Sequence, residues 1–254
     1  MRKEKDGLGE RLLPDEAYYG IQTLRAMENF AISDNTFAHY PNIVRAMAEI
    51  KKACALTNKE IGALPADIAD AIATACDEML AGRYPDQFPV NVFRGCGTSI
   101  NMNVNEVLGN RANELLTGHK GADRVHPNTH VNMCQSSNDV FPTAASLVLY
   151  RETGGLLDAL ATLEATVRER MEALGPVVRI GRTCLQDAVP LTFGQSLSGY
   201  ASLLERTRGQ IAAFRKRSAT GILGATAVGT GIGVQPGFMK RIYRNLSSIT
   251  GFPV

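Results

Sequence analysis

The stretch VFPTAASLVLYRETGGLLDALATLEATVRERMEAL, residues 140–174, decides the fold. It holds no proline after Pro142, and Ala144, Leu147, Val148, Leu156, Leu157, Leu160 and Leu163 put apolar side chains on several faces of a helical period. At 1.5 Å per residue such a helix spans about 50 Å. A helix apolar on several faces needs helical neighbours, which is bundle packing. Gly154-Gly155 is its weak point. A connection from Pro176 to Pro190 leads into another long helical pattern from about Thr192 to Arg217, a natural bundle neighbour.

Upstream, the chain is polar and turn-rich to Pro14, then carries a short helix through Ile21 and Leu24 to Phe30. After Pro41, Ile43, Val44, Met47, Ile50, Ala53, Leu56 and Ile61 recur at helical spacing until Gly62. Pro65-Ala66-Asp67 opens a second run through Ile68, Ile72, Ala75, Met79 and Leu80, closed by Gly82, so two antiparallel helices result. Pro85 to Gly97 reads as irregular, with a short strand at Val90–Phe93, and helix resumes at Thr98 or Ser99 as far as about Leu116. The segment 118–135, rich in His, Pro, Asn and Gly, ends at a domain boundary. The expected architecture is mainly α: a small helical N-terminal domain over residues 1–138, then part of a long-helix bundle over residues 139–254.

Composition agrees. In 254 residues, 44% are hydrophobic and 20% charged, enough for a sizeable core, and aromatics are scarce at 6% with no Trp, which favours helix over a strand-rich sandwich. The formal charge of +2 is too small for a dedicated nucleic-acid binder. No apolar run reaches spanning length and the N-terminus reads Met1-Arg2-Lys3-Glu4-Lys5-Asp6, so neither membrane nor export is indicated and a cytoplasmic location is expected. Cys54, Cys76, Cys96, Cys134 and Cys184 are odd in number and widely spaced, so reduced thiols are the expectation.

Three polar segments interrupt the helical pattern, each at a helix start or bend: Gly95-Cys96-Gly97-Thr98-Ser99, Gln135-Ser136-Ser137-Asn138-Asp139 and Gly181-Arg182-Thr183-Cys184. Hydroxyls and free N–H groups at a helix N-terminus form an anion site without a cation. Such residues also simply cap helices; three together favour a carboxylate. The Gly-rich run 221–233 fails both nucleotide fingerprints, because Val234 stands where a third glycine is required and Thr230 where a lysine is. It reads as a close packing contact or an active-site loop. His126, His130 and Cys134 would align on a helix, but Pro127 argues against one there, so no metal and no cofactor are expected.

Four of these stretches, in order, resemble the aspartase/fumarase superfamily: residues 18–30 (YYGIQTLRAMENF), residues 97–106 (GTSINMNVNE), Ser136-Ser137-Asn138-Asp139, and residues 181–190 (GRTCLQDAVP). The Tyr-Tyr-Gly entry with Gly-Thr-Ser is more like the aspartate ammonia-lyase branch, whereas Ser137 is more like the class II fumarases. The resemblance implies elimination of ammonia from L-aspartate to fumarate through an enediolate, with Thr98, Ser136, Ser137 and Thr183 binding the dicarboxylate and Asn138 meeting the leaving amine. Thr183 and Cys184 occupy the catalytic stretch. Family members typically carry His or Gln where Cys184 stands, and a thiol is a weak hydrogen-bond partner. At the family's second anion site, His126-Pro127-Asn128 matches while Thr129 replaces Asp.

The family's general base, a serine on a Gly-Ser-Ser-x-x-Pro-x-Lys-x-Asn loop, has no counterpart in the chain, which on this reading is the N-terminal half of a longer protein. The resemblance also implies a homotetramer with active sites shared between subunits. Two other readings stand beside the ammonia-lyase: a class II fumarate hydratase, and a catalytically silent dicarboxylate-binding or interaction fragment.

Overall fold

The computed structural model describes residues 1–93 and 96–254; Gly95, in the first polar segment, lies outside them. The fold is mainly α, and its contacts divide it into two compact units, Met1–Val148 with Thr220–Val254, and Leu149–Ala219. No helix of the described residues is long and apolar enough to cross a membrane.

The first unit is built on three helices. α2 (Pro41–Glu60) opens with Pro at its first helical position, where the missing N–H costs nothing. α3 (Ala66–Leu80) returns antiparallel to it, and α4 (Cys96–Thr117) packs against α3. Met47, Ile50, Ile72, Val104 and Leu108 are fully buried between them. The preceding helix, α1 (Ile21–Asn29), lacks a side-chain cap of its own; Glu106 of α4 supplies one, accepting the N–H groups of Gly20 and Gln22 at 2.9 Å and of Thr23 at 3.0 Å.

α5 (Ser137–Leu174) contributes Val140, Ala144 and Leu147 to this core, as do Leu223 and Phe238 and, from α7 (Ile242–Thr250), Ile242 and Leu246. The contacts thus part at Val148 and Ala219 rather than at residue 138, because the start of α5 and the segment 220–254 bury their apolar side chains with the N-terminal helices.

Four features depart from the sequence expectations. The polar N-terminus is a hairpin of β1 (Arg2–Asp6) and β2 (Gly9–Leu13). Around Val90–Phe93 there is only a bridge between Thr36 and Asn91. The connection after α5 is an antiparallel hairpin of β3 (Val178–Thr183) and β4 (Gln186–Thr192). Residues 127–131, where Pro127 argued against helix, form a single π turn.

In the second unit α6 (Phe193–Ser218) begins with a capping box, Thr192 Oγ1 accepting the Gln195 N–H while the Gln195 side chain accepts the Thr192 N–H. Long polar side chains join α5 to α6: Arg208 and Arg168 both pair with Glu164, and Arg168 with Glu205. Leu156, Leu163, Tyr200 and Leu203 remain about half exposed or more. The burial that their pattern demands is not met among the described residues, since two helices joined by polar side chains leave their other faces open.

Candidate functional site

Two helix starts and one loop surround a cavity of about 500 Å³ in the first unit. Thr98, Asn101 and Met102 come from the first turns of α4, and Ser136 and Ser137 from the start of α5. Gln22 comes from α1, Asn128, Asn132 and Gln135 from the turn ahead of α5, and Thr226, Ala227, Val228, Thr230 and Ile232 from the Gly-rich run. Gly97 lets the two helices meet, because a Cβ there would fall 2.9 Å from Phe141 Cβ.

Asp139 holds the two sides of the cavity together. Its carboxylate is fully buried. One oxygen accepts the Ser136 N–H at 2.9 Å while the Ser136 hydroxyl accepts the Asn138 N–H at 3.2 Å, so the two side chains together cap the start of α5. The other accepts the N–H groups of Gly224 at 3.1 Å and Thr226 at 2.9 Å. Thr226 is thereby held at φ 60°, and the loop residues after it face the hydroxyls of α5. Gly224 is as constrained, since a Cβ would lie 2.0 Å from Met239 Sδ.

Of the sequence-predicted residues, Thr98, Ser136 and Ser137 line this one cavity. Asn138 lies beside it, with Nδ2 donating to Ala227 O at 2.7 Å, so its amide tethers the loop. Thr183 and Cys184 belong to the second unit, at the exposed tip of the β3–β4 hairpin. The turn places Cys184 at φ 49° and Leu185 at φ 62°, both left-handed, as a two-residue hairpin turn requires.

Amides complete the wall, and of these only Gln135 stood in one of the three polar segments. Asn101, Asn132, Gln135 and Gln22 point to no chemistry as isolated letters; only the fold brings them together. Among the described lining residues none is ionised at neutral pH, so the cavity offers hydroxyl and amide groups and the positive ends of two helices. That chemistry suits an anion the size of a small carboxylic acid. The side chains of His126, His130 and Cys134 each have another partner. His126 Nδ1 accepts from Asn128 and Thr129 N–H, His130 Nδ1 from the His126 N–H at 2.9 Å, and Cys134 Sγ from the Gln235 N–H at 3.3 Å. Among the described residues no group of three or more His, Cys, Asp or Glu side chains is arranged to hold a metal ion.

A lyase family model matches residues 9–254. The chain is 43% identical to the aspartate ammonia-lyase of Bacillus subtilis, over all of this chain and 53% of that protein. It is 46% identical to the class II fumarate hydratase of Halobacterium salinarum, over 98% of this chain and 53% of that protein. The solved fumarate lyase:delta crystallin of Brucella melitensis superposes with a TM-score of 0.92 at 43% identity, over all of this chain and 55% of that one. The chain spans about half the length of the relatives it matches. With the lyase model covering nearly the whole chain and three of the four family-like stretches meeting at the two-helix cavity, the chain belongs to the fumarase/aspartase superfamily of lyases.

Proposed function

We propose that the protein acts in the elimination of ammonia from L-aspartate to give fumarate, as an aspartate ammonia-lyase-type carbon–nitrogen lyase without metal or cofactor. One observation carries this reading: Thr98, Ser136 and Ser137, singled out as carboxylate-binding residues, line a single cavity at two helix N-termini. In the reaction a base takes a proton from the carbon beside one carboxylate. The electron pair spreads into that carboxylate as an enediolate, and the carbon–nitrogen bond on the neighbouring carbon then breaks to release the amine. Fixed hydroxyl and amide donors favour the enediolate because its charge grows where they already point.

We assign Thr183 to substrate contact and Cys184 to the leaving-group position, and Asn138 to the amine, as the resemblance implies. The reading includes a homotetramer with sites shared between subunits and a base supplied from outside the cavity lining described above. The test is fumarate ultraviolet absorbance with the purified chain and either L-aspartate or malate. Fumarate from aspartate supports the reading, and fumarate from malate alone supports a hydratase instead. That second reading has its own support in Ser136-Ser137-Asn138-Asp139 and in the 46% identity to a class II fumarate hydratase. Fumarate binding without turnover of either compound would leave a dicarboxylate-binding chain. In an active chain, Cys184→His or Cys184→Gln changes turnover if position 184 meets the leaving group; unchanged turnover removes that role.

A further inference from the structure

Behind the cavity wall α2 carries a lysine, Lys51, that touches the lining from within the core. Lys51 is wholly buried. Its ammonium donates to Asn132 Oδ1 at 2.9 Å and Gln135 Oε1 at 2.8 Å, and both of these residues line the cavity. Asn132 Oδ1 accepts as well from Asn101 Nδ2 at 3.1 Å and Asn105 Nδ2 at 3.2 Å. Asn101 Nδ2 also donates to Ser137 Oγ at 3.1 Å.

These contacts have a direction. An ammonium donates and never accepts, so the two amides beside it turn their oxygens towards it. Asn101 and Asn105 must then present N–H to Asn132, and their own oxygens are left buried without partners. The opposite orientation would set oxygen against oxygen. With the Asn101 N–H on its lone pair, the Ser137 hydroxyl keeps its proton to donate elsewhere.

We infer that Lys51 is a positioning residue of this site: its buried positive charge orients the Asn132–Asn101–Ser137 chain so that Ser137 donates into the cavity, and it biases the cavity towards carboxylate anions. The inference rests on the carboxylate reading above. The ionisable groups acting on Lys51 are Cys54 on α2, Asp139 on α5 and Cys76 on α3, and Asp139 and Cys54 act in turn on Tyr243 of α7. The side chains bonded to this chain from α4 and from residues 132–135 after the π turn are neutral amides. Burial is the largest influence and pulls the ammonium down to about 7, so its charge is lost as the solution turns alkaline.

The test is calorimetric binding of fumarate to the full chain from about pH 6 to about pH 8.5, a range over which a dicarboxylate stays ionised. The wild type should lose about tenfold in affinity as pH rises through neutrality. Lys51→Met should bind about tenfold more weakly at the acid end and show a flat profile, on the scale of a lost charge-assisted hydrogen bond. The second measurement needs no variant: the Lys51 Cε resonance should titrate near neutrality, and its midpoint should rise when fumarate saturates the site. A Lys51→Met chain with wild-type affinity and pH profile, or a Cε midpoint indifferent to bound fumarate, overturns the inference and leaves the carboxylate reading standing. A wild type that binds no fumarate at any pH overturns both.

Discussion

The carboxylate of Asp139, at the start of α5, accepts the backbone N–H of Thr226 at 2.9 Å. The same side chain closes the Ser136 cap, so one buried group fixes the hydroxyl wall and the loop wall of the cavity together.

Asp139→Asn should therefore damage both walls. An amide puts an N–H donor where a carboxylate oxygen now accepts, against Ser136 N–H or against Gly224 and Thr226 N–H. A buried donor left facing a donor costs about 1–3 kcal/mol. Denaturant titration should show a lowered midpoint, and limited proteolysis should cut faster within residues 224–232. An unchanged midpoint would show that the loop is held by other contacts.

Glu106→Ala removes the acceptor for three backbone N–H groups at the start of α1. The loss should be about 3 kcal/mol, more than an ordinary helix cap, because the site is buried. Amide exchange at Gly20, Gln22 and Thr23 should accelerate more than exchange in α2, and slow exchange there would contradict this.

The buried Lys51 makes stability depend on pH. Its ammonium loses its proton near pH 7 in the folded chain but keeps it to the usual lysine range when unfolded. Above neutrality the unfolded state thus binds more protons, and unfolding free energy rises with pH by up to about 1.4 kcal/mol per unit from this group. Burial raises the Cys54 and Cys76 thiols. The folded state therefore keeps protons that the unfolded thiols lose, an opposing slope that begins near the ordinary thiol range. Between the two ranges, chemical denaturation of the wild type should show the rise and Lys51→Met should lack it. Parallel slopes for both chains would contradict the assignment.

Leu156, Leu163, Tyr200 and Leu203 leave apolar surface on α5 and α6 open. Exposed patches of this kind drive association. Light scattering should find the chain above monomer mass, and Leu163→Glu with Leu203→Glu should lower that mass. A clean wild-type monomer would refute the prediction.

Leu185 is almost fully exposed and sits at φ 62°. Leu185→Gly should raise the melting temperature, with a gain of up to about 1 kcal/mol from relieved strain. A fall would mean that the leucine side chain has a partner outside this chain.

Long amphipathic elements were legible because apolar spacing marks them: α2, α3, α5 and α6 lie close to the positions their periodicity predicts. The hairpins were not. β1 and β2 are mostly charged, and the β3–β4 turn uses Cys184 and Leu185 where Gly or Asn would signal left-handed backbone. α7 has no capping side chain and only nine residues. Within the site, the hydroxyls of Thr98, Ser136 and Ser137 stood out in polar segments at helix starts. Lys51 and Asn101 did not, because a polar residue inside a helical pattern reads as surface until packing shows it buried. Asp139 sits in the Ser-Ser-Asn-Asp motif, but its hold on residues 224–226 depends on contacts more than 80 residues apart in sequence, which spacing does not show.

We propose that the cavity between the starts of α4 and α5 binds a dicarboxylate through these hydroxyls. Calorimetric titration of fumarate into the wild-type chain and into Ser137→Ala tests it most directly. The wild type should bind measurably and Ser137→Ala about tenfold more weakly, with both chains melting cooperatively and the Ser137→Ala midpoint lowered only by the loss of the Asn101 Nδ2–Ser137 Oγ bond. Equal affinity in the two chains, or no binding by a folded wild type, would contradict it.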